Sequence, residues 1–254
     1  MPFHALHWQG DYLIKRMAVT YLVNLTSLLV ERRAPHKRRV LAIGISEYTV
    51  PSLPLRTLPY AEKEARSVAA IYWDAGIPAV ALCGAAANGA QLRKWAQNRE
   101  LASYSCIHVA GHGVNVPSDT PLESFLCLSD TKLDGLEIAS WDLSAELVIL
   151  SACSSGQRAI LGRGLPDIPG DEPLGLQAAF FFAHCSCIIS ALWPVDDQVG
   201  LKLMQSLHQH LVQGCSAEVA HQRAVSDFLT QARLPHRHPH YWAPFFVTAI
   251  DREN

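Results

Sequence analysis

Short apolar runs alternate along the chain with segments in which apolar residues recur every three or four positions. The runs Tyr12–Ile14, Val40–Ile45, Ala79–Leu82, Cys106–Ala110, Ser124–Leu128, Leu147–Ser151, Cys187–Leu192 and Phe245–Ile250 predict strands. The longer period predicts helices over Pro59–Trp73, Asn88–Asn98, Leu174–His184, Gly200–Val212 and Ala217–Ala232. In the first of these, Pro59 stands near the start, and Ala61, Ala65, Val68 and Ile71 or Tyr72 share one face. Strands alternating with helices imply an α/β fold, a mostly parallel sheet with helices on both faces.

One apolar stretch, Gly175–Trp193, approaches the roughly 20 residues of a membrane helix. Gln177, His184 and two serines interrupt it, and it divides better into a buried helix, LQAAFFFAH, followed by a strand, CSCIISAL. The chain has 254 residues, enough for one large α/β domain without disulfide or metal staples. With Lys and Arg totalling 21, Asp and Glu totalling 23, and a net charge of −2, it lacks the electrostatic footprint of a protein that binds nucleic acid or an anionic membrane. At 49% hydrophobic and 17% charged residues it is not a disordered chain. An odd number of cysteines, seven, lying mostly in apolar runs, and an N-terminus unlike a secretory signal predict a reducing, cytoplasmic location. The basic run Glu31–Arg39 reads as a solvated linker. The stretch Ser154–Pro173, rich in glycine and proline, is long for a structureless loop inside a domain, and such loops usually serve function.

Two strands deliver reactive groups. SCIHVAGHGV runs out at Gly111 and sets His112 and Gly113 at its carboxyl end, while LVILS leads to Cys153 and the small residues Ser154, Ser155 and Gly156. Ligands of open parallel sheets bind beyond the carboxyl ends of strands spaced about 4.8 Å apart. Adjacent placement of these two strands brings His112 and Cys153 to one crevice. A thiol with a pKa near 8.5 needs a base or a positive neighbour to become a good nucleophile, and imidazole supplies it. The backbone N–H groups of Gly113 and Cys153 form a candidate oxyanion hole. The competing reading makes Cys153 a small core residue and His112 a turn histidine.

The segments IHVAGHGV, ELVILSACSSG and ALWPVDD resemble the CHAT family of caspase-like cysteine proteases, relatives of separase. VLAIGISEY with LPYAEKEARSVAAIY resembles the family's first strand and helix, and HPHYWAPFFVTAID its closing segment, so the resemblance spans nearly the whole chain. It implies a caspase-like three-layer sandwich over residues 40–254, preceded at 1–39 by a β-hairpin and linker region. It implies His112 as general base and Cys153 as nucleophile of a dyad that cleaves peptide bonds through a thioester, with no metal or organic cofactor. Asp197, with Asp196 as the neighbouring candidate, falls where separase-like relatives place an acidic residue for a basic substrate side chain, a charge-assisted contact. The alternative is that one of the two caps the following helix. Arg56 falls roughly where caspases carry a substrate-binding arginine, but its surroundings depart from theirs.

The expected activity is that of a cytoplasmic cysteine endopeptidase acting on a protein or peptide substrate. The helical sensor repeats that often precede such domains do not appear in these residues, so control is expected from a regulatory partner or from a longer parent chain. The 154–173 loop is the expected gate, by ordering, and Arg158 and Arg163 within it are candidate self-cleavage sites. The rival from another class is a silent protein-interaction module that retains the dyad; a third reading is a small-molecule acyl hydrolase. Other features carry less. Cys185 and Cys187, two apart on one predicted strand, share a face but lack a second pair at zinc spacing. His236, His238 and His240 belong to the closing segment, SACSSG lacks the first glycine of a serine-hydrolase elbow, and His108 is expected to pack near the dyad.

Overall fold

The runs that are apolar at every position become the middle of the sheet, where both faces are covered. The structure, a computed structural model, describes residues 2–23, 38–50, 53–114, 116, 121–152 and 176–250. In chain order its strands and helices are β1 (His7–Trp8), β2 (Asp11–Tyr12), β3 (Thr20–Leu22), β4 (Val40–Gly44), α1 (Ala61–Asp74), β5 (Ala79–Cys83), α2 (Gly89–Gln97), β6 (Cys106–Val114), β7 (Phe125–Cys127) and β8 (Lys132–Asp134). They continue with α3 (Gly135–Ala139), β9 (Leu147–Ala152), α4 (Leu176–Phe182), β10 (Cys187–Ala191), α5 (Asp197–Val212), α6 (Ala217–Gln231), α7 (Pro239–Trp242) and β11 (Phe245–Ala249). The main sheet runs β3-β11-β10-β9-β6-β4-β5; β7 and β8 hang from β6 as an antiparallel extension. All of its neighbours pair in parallel except β10 and β11, which are antiparallel.

Period-two alternation sorts the strands' side chains into two cores. Val40, Ala42, Cys106, Ile149 and Ile189 face one way, onto Ala65, Val68 and Tyr72 of α1, Leu203 and Leu207 of α5 and Ala224 of α6. Leu41, Ile43, Ile107, Val148, Leu150 and Ile188 face the other, onto Leu92 of α2, Ile138 of α3 and Ala179 of α4. The result is the three-layer α/β sandwich expected from the pattern. Gly44 seats α1 closely: a Cβ there would lie 2.6 Å from the Ala61 carbonyl oxygen and 2.7 Å from the Ala65 Cβ. The N-terminal residues join the first core through Ala5 and Ile14, and β3 adds a strand to the sheet beside β11.

Several expectations change in detail. The Gly175–Trp193 stretch divides into a helix and a strand, and no described helix is long and apolar enough to cross a membrane. β6 does not stop at Gly111. It leaves the main sheet there and runs on to Val114, because β7 takes over as its antiparallel partner from His112 onward. Cys185 and Cys187 do not share a face. Cys185 lies in the turn before β10, where strand alternation does not hold, and the two thiols pack in opposite cores. α5 starts at Asp197, ahead of the expected Gly200, because Asp196 caps it. The short elements β1, β3, β8, α3 and α7 carry too few residues to show a period. The 154–173 loop with Arg158 and Arg163, most of the basic run at 31–37, and Cys153 lie outside the described residues.

Candidate active site

β6 and β9 are adjacent and parallel, and their last paired residues are Gly111 and Ala152. The next residue of β6 is His112, and the next residue of the chain after β9 is Cys153. His112 is largely buried at the point where the strand changes partners, with Cys127 of β7 opposite it and Gly113 opposite Leu126. The ring of Tyr48 packs 5.0 Å from its imidazole. The Tyr48 hydroxyl accepts from the His112 N–H at 3.0 Å and donates to the Ile45 carbonyl at 2.8 Å. Glycine at 111 leaves that hydroxyl room; a Cβ there would meet it at a tight 3.1 Å.

The imidazole has a defined tautomer. Its Nε2 lies 2.8 Å from the Arg56 carbonyl oxygen. A carbonyl only accepts, so Nε2 carries the hydrogen and Nδ1 holds the lone pair. Burial pushes the His112 pKa down, the Arg56 carbonyl opposes that by favouring the charged ring, the Arg56 guanidinium adds to the fall, and the Asp197 carboxylate opposes it. At neutral pH the ring is uncharged, the form a general base requires. Arg56 thus meets His112 through its main chain, a role that side-chain identity cannot signal. Tyr48 lies within the VLAIGISEY segment, but nothing in a lone tyrosine separates this role from packing.

Asp196 and Asp197 take different positions. Asp196 is the N-cap of α5, its Oδ1 accepting from the Gln198 and Val199 N–H groups at 3.1 and 3.0 Å. Asp197 turns toward α1, where its Oδ2 accepts from the Tyr60 N–H at 2.9 Å. Burial raises the Asp197 pKa; the Tyr60 N–H lowers it, Glu64 and Asp196 raise it by repulsion, and Arg56 lowers it. Both aspartates line a pocket at the carboxyl ends of β9 and β10 with Glu64, Ser151, Ala191, Val195, Gly200 and Phe245.

Beneath this pocket the polar groups continue into the core. Glu64, 2% exposed, and His108, fully buried, pair through Oε1 and Nε2 at 2.9 Å. His108 Nδ1 lies 3.1 Å from His208 Nε2, and His208 Nδ1 lies 3.0 Å from the Tyr72 hydroxyl. With a Glu64 carboxylate at one end, one hydrogen falls in each gap: Tyr72 donates to His208, His208 to His108, and His108 to Glu64. His108 therefore packs below the site, as expected, and ties α1 to β6 and α5. In the closing segment, His238 caps α7 by accepting from the His240 N–H at 3.2 Å, and His240 stacks on Trp193. Among the described residues no group of three or more His, Cys, Asp and Glu is arranged to hold a metal ion.

Comparison with known proteins agrees with this architecture. The family model described as the CHAT domain matches residues 1–250. A curated relative, tetratricopeptide repeat protein 28 of Mus musculus, is 25% identical over 124 residues; these cover 49% of this chain and 5% of that protein, so the chain spans a small part of the relative's length. Among solved structures, the Arg-specific cysteine proteinase gingipain R superposes with a TM-score of 0.54 at 11% identity, covering 84% of this chain and 46% of that one. Caspase-1 from Spodoptera frugiperda superposes with a TM-score of 0.52 at 15% identity, covering 88% and 95%. These likenesses show a caspase-like fold.

Proposed function

The chain belongs to the CHAT domain family, and from that premise we propose that it is a cysteine endopeptidase in which His112 is the general base and Cys153 the nucleophile. The observation that carries the reading is the tautomer of His112: Nε2 is committed to the Arg56 carbonyl, so Nδ1 is the basic atom. The residue before it, Gly111, is paired with the residue before Cys153. In the proposed reaction Nδ1 takes the thiol proton and the sulfur attacks the peptide carbonyl. The N–H groups of Gly113 and Cys153 hold the oxyanion, and the proton passes to the leaving amine as the acyl-enzyme forms. Water then hydrolyses the thioester with the same base.

The carboxylates of Asp197, Asp196 and Glu64 gather beside Ser151, and their charge favours a guanidinium or ammonium group in the residue before the cut bond. Asp197 is the carboxylate assigned to it, with Asp196, whose Oδ1 serves the α5 cap, as its neighbour. Gingipain R, of the same fold, is Arg-specific by name. Control by a partner or an attached module accords with a relative named for tetratricopeptide repeats. The test is digestion of a diverse peptide library, read by mass spectrometry, with wild type, Cys153→Ala and His112→Ala. Cuts after Arg or Lys that vanish in both variants are expected, a loss of at least about 100-fold. Cuts that persist in Cys153→Ala overturn the proposal.

A further inference from the structure

The structure assigns Asp197 a task besides any substrate contact: we propose that it is a positioning residue for His112, acting through the chain segment that runs from Arg56 to Tyr60. The proposal rests on the reading of His112 as the general base, but its readout is the imidazole itself and needs no substrate.

The tautomer of His112 depends on where the Arg56 carbonyl sits. Arg56 belongs to an extended segment entering α1, and that segment has two main anchors. One is Leu58, whose N–H donates to the Ser46 carbonyl at 3.0 Å and whose side chain packs on Ala61 and Ala110. The other is the Tyr60 N–H, held by the Asp197 Oδ2 at 2.9 Å across 137 residues of sequence. Tyr60 is the residue before the first turn of α1, so this bond fixes how the helix entry turns and hence where the preceding carbonyls point. Asp197 itself stands in the first turn of α5, where the helix dipole favours a carboxylate. It acts on His112 a second way, through its charge, which favours the imidazolium.

Among the described residues, the other polar groups near these two do not duplicate that effect. Tyr48 bonds the His112 main chain and the Arg56 guanidinium opposes a charge on the ring. Cys127, opposite on β7, is a neutral thiol pushed up to about 11 by burial. Glu64 is tied to His108, and Asp196 to its own helix.

The anchor and the charge separate by substitution. Asp197→Asn keeps an oxygen acceptor and loses the charge; Tyr60→Pro loses the N–H and keeps the charge, at the N-cap of α1, where that N–H serves no intrahelical bond; Asp197→Ala loses both. The measurement is the pair of imidazole nitrogen shifts of His112 by NMR across a pH titration. For Asp197→Asn, the expected result is a wild-type tautomer ratio with a lowered midpoint. For Tyr60→Pro, the Nε2–H preference falls about threefold to tenfold, the weight of one hydrogen bond, at an unchanged midpoint. Asp197→Ala shows both changes, and should it fail to fold, the other two variants decide. A wild-type tautomer ratio in Tyr60→Pro together with a wild-type midpoint in Asp197→Asn overturns the proposal. An absence of cleavage in every protein, with the expected shifts present, supports the positioning role and removes the endopeptidase reading alone.

Discussion

Two sets of buried histidines stand on the same side of the sheet, and they are built in opposite ways. Under the candidate site, His108 and His208 sit in a chain of hydrogen bonds from Glu64 to Tyr72 in which every gap holds one hydrogen. Under the N-terminal segment, His4 and His221 meet edge to face with ring centroids 5.5 Å apart. His4 spends Nε2 on the Ala243 carbonyl at 3.2 Å; among the described residues its Nδ1 and both ring nitrogens of His221 have no hydrogen-bond partner. Burial is common to both sets, and it lowers the pKa of His208, His4 and His221. Partners differ, and partners decide what a mutation costs.

The largest expected effect is therefore one the sets share, loss of stability in acid. Burial pushes His4 down to about 4, and burial with repulsion from His4 pushes His221 down to about 3. His208 is also held well below its ordinary value by burial and by His108. A histidine whose folded pKa lies below its unfolded value of 6.5 contributes its full stabilisation above pH 6.5 and loses it as pH falls toward the folded value. At about 1.4 kcal/mol per pH unit, His4 and His221 each stand to lose on the order of 3 to 5 kcal/mol between pH 6.5 and 3. Circular dichroism melts at descending pH should show Tm falling steeply in this window, and less steeply in His221→Leu. Parallel acid limbs in the two proteins would break the account.

Below that comes His208→Leu, which orphans His108 Nδ1 and leaves the Tyr72 hydroxyl with only the weak Cys106 thiol as partner. A buried polar group left without a partner costs about 1 to 3 kcal/mol, and with the weakened Tyr72 contact roughly 2 to 4 kcal/mol is expected in urea unfolding at pH 7.5. Glu64→Gln should cost less, about 1 to 2 kcal/mol, because the amide oxygen can still accept from His108 while the charge-assisted part of the bond is lost. A cost for Glu64→Gln above that for His208→Leu would mean that charge, and not hydrogen-bond continuity, holds α1 to β6.

The sequence shows these regions unequally, for physical reasons. The central strands and long helices are legible because burial on two faces leaves an apolar run and burial on one leaves a 3.6-residue period, as Val40–Gly44 and Ala61–Asp74 do. The two-residue strands at His7–Trp8 and Asp11–Tyr12 leave neither. At the site, the sequence brings His112 and Cys153 to strand ends, and it is the fold that pairs those two strands. The Arg56 carbonyl is not legible, because a main-chain acceptor has no residue type to announce it. His108 was legible as a neighbour of the site, but its partners come from 44 and 100 residues away, and only the tertiary fold brings Glu64 and His208 to it. The odd pairing of Cys185 with Cys187 fails for a local reason: alternation begins only where the strand does, at Cys187.

The smallest effect is the sharpest discriminator. His221→Leu makes on α6 the same substitution that His208→Leu makes on α5, in a site equally closed to water. Leucine is close to histidine in volume and has no polar atoms. In His208 the change breaks two hydrogen bonds; in His221 it breaks none and removes two buried nitrogens that were never paired. The carbonyl of Phe245 lies near His221 and favours a charge on it, a contact short of full hydrogen-bond geometry whose loss costs little. The neighbouring His4 keeps its bond to Ala243 and gains an apolar contact. The expected change in stability at pH 7.5 lies within about 1 kcal/mol of zero, and on the stabilising side if it departs from zero, because burying a polar group without a partner costs free energy that leucine does not incur. Urea midpoints for the two variants, measured side by side, should differ by most of the cost of His208→Leu. Equal losses in both would show that shape, and not hydrogen bonding, sets what these histidines contribute.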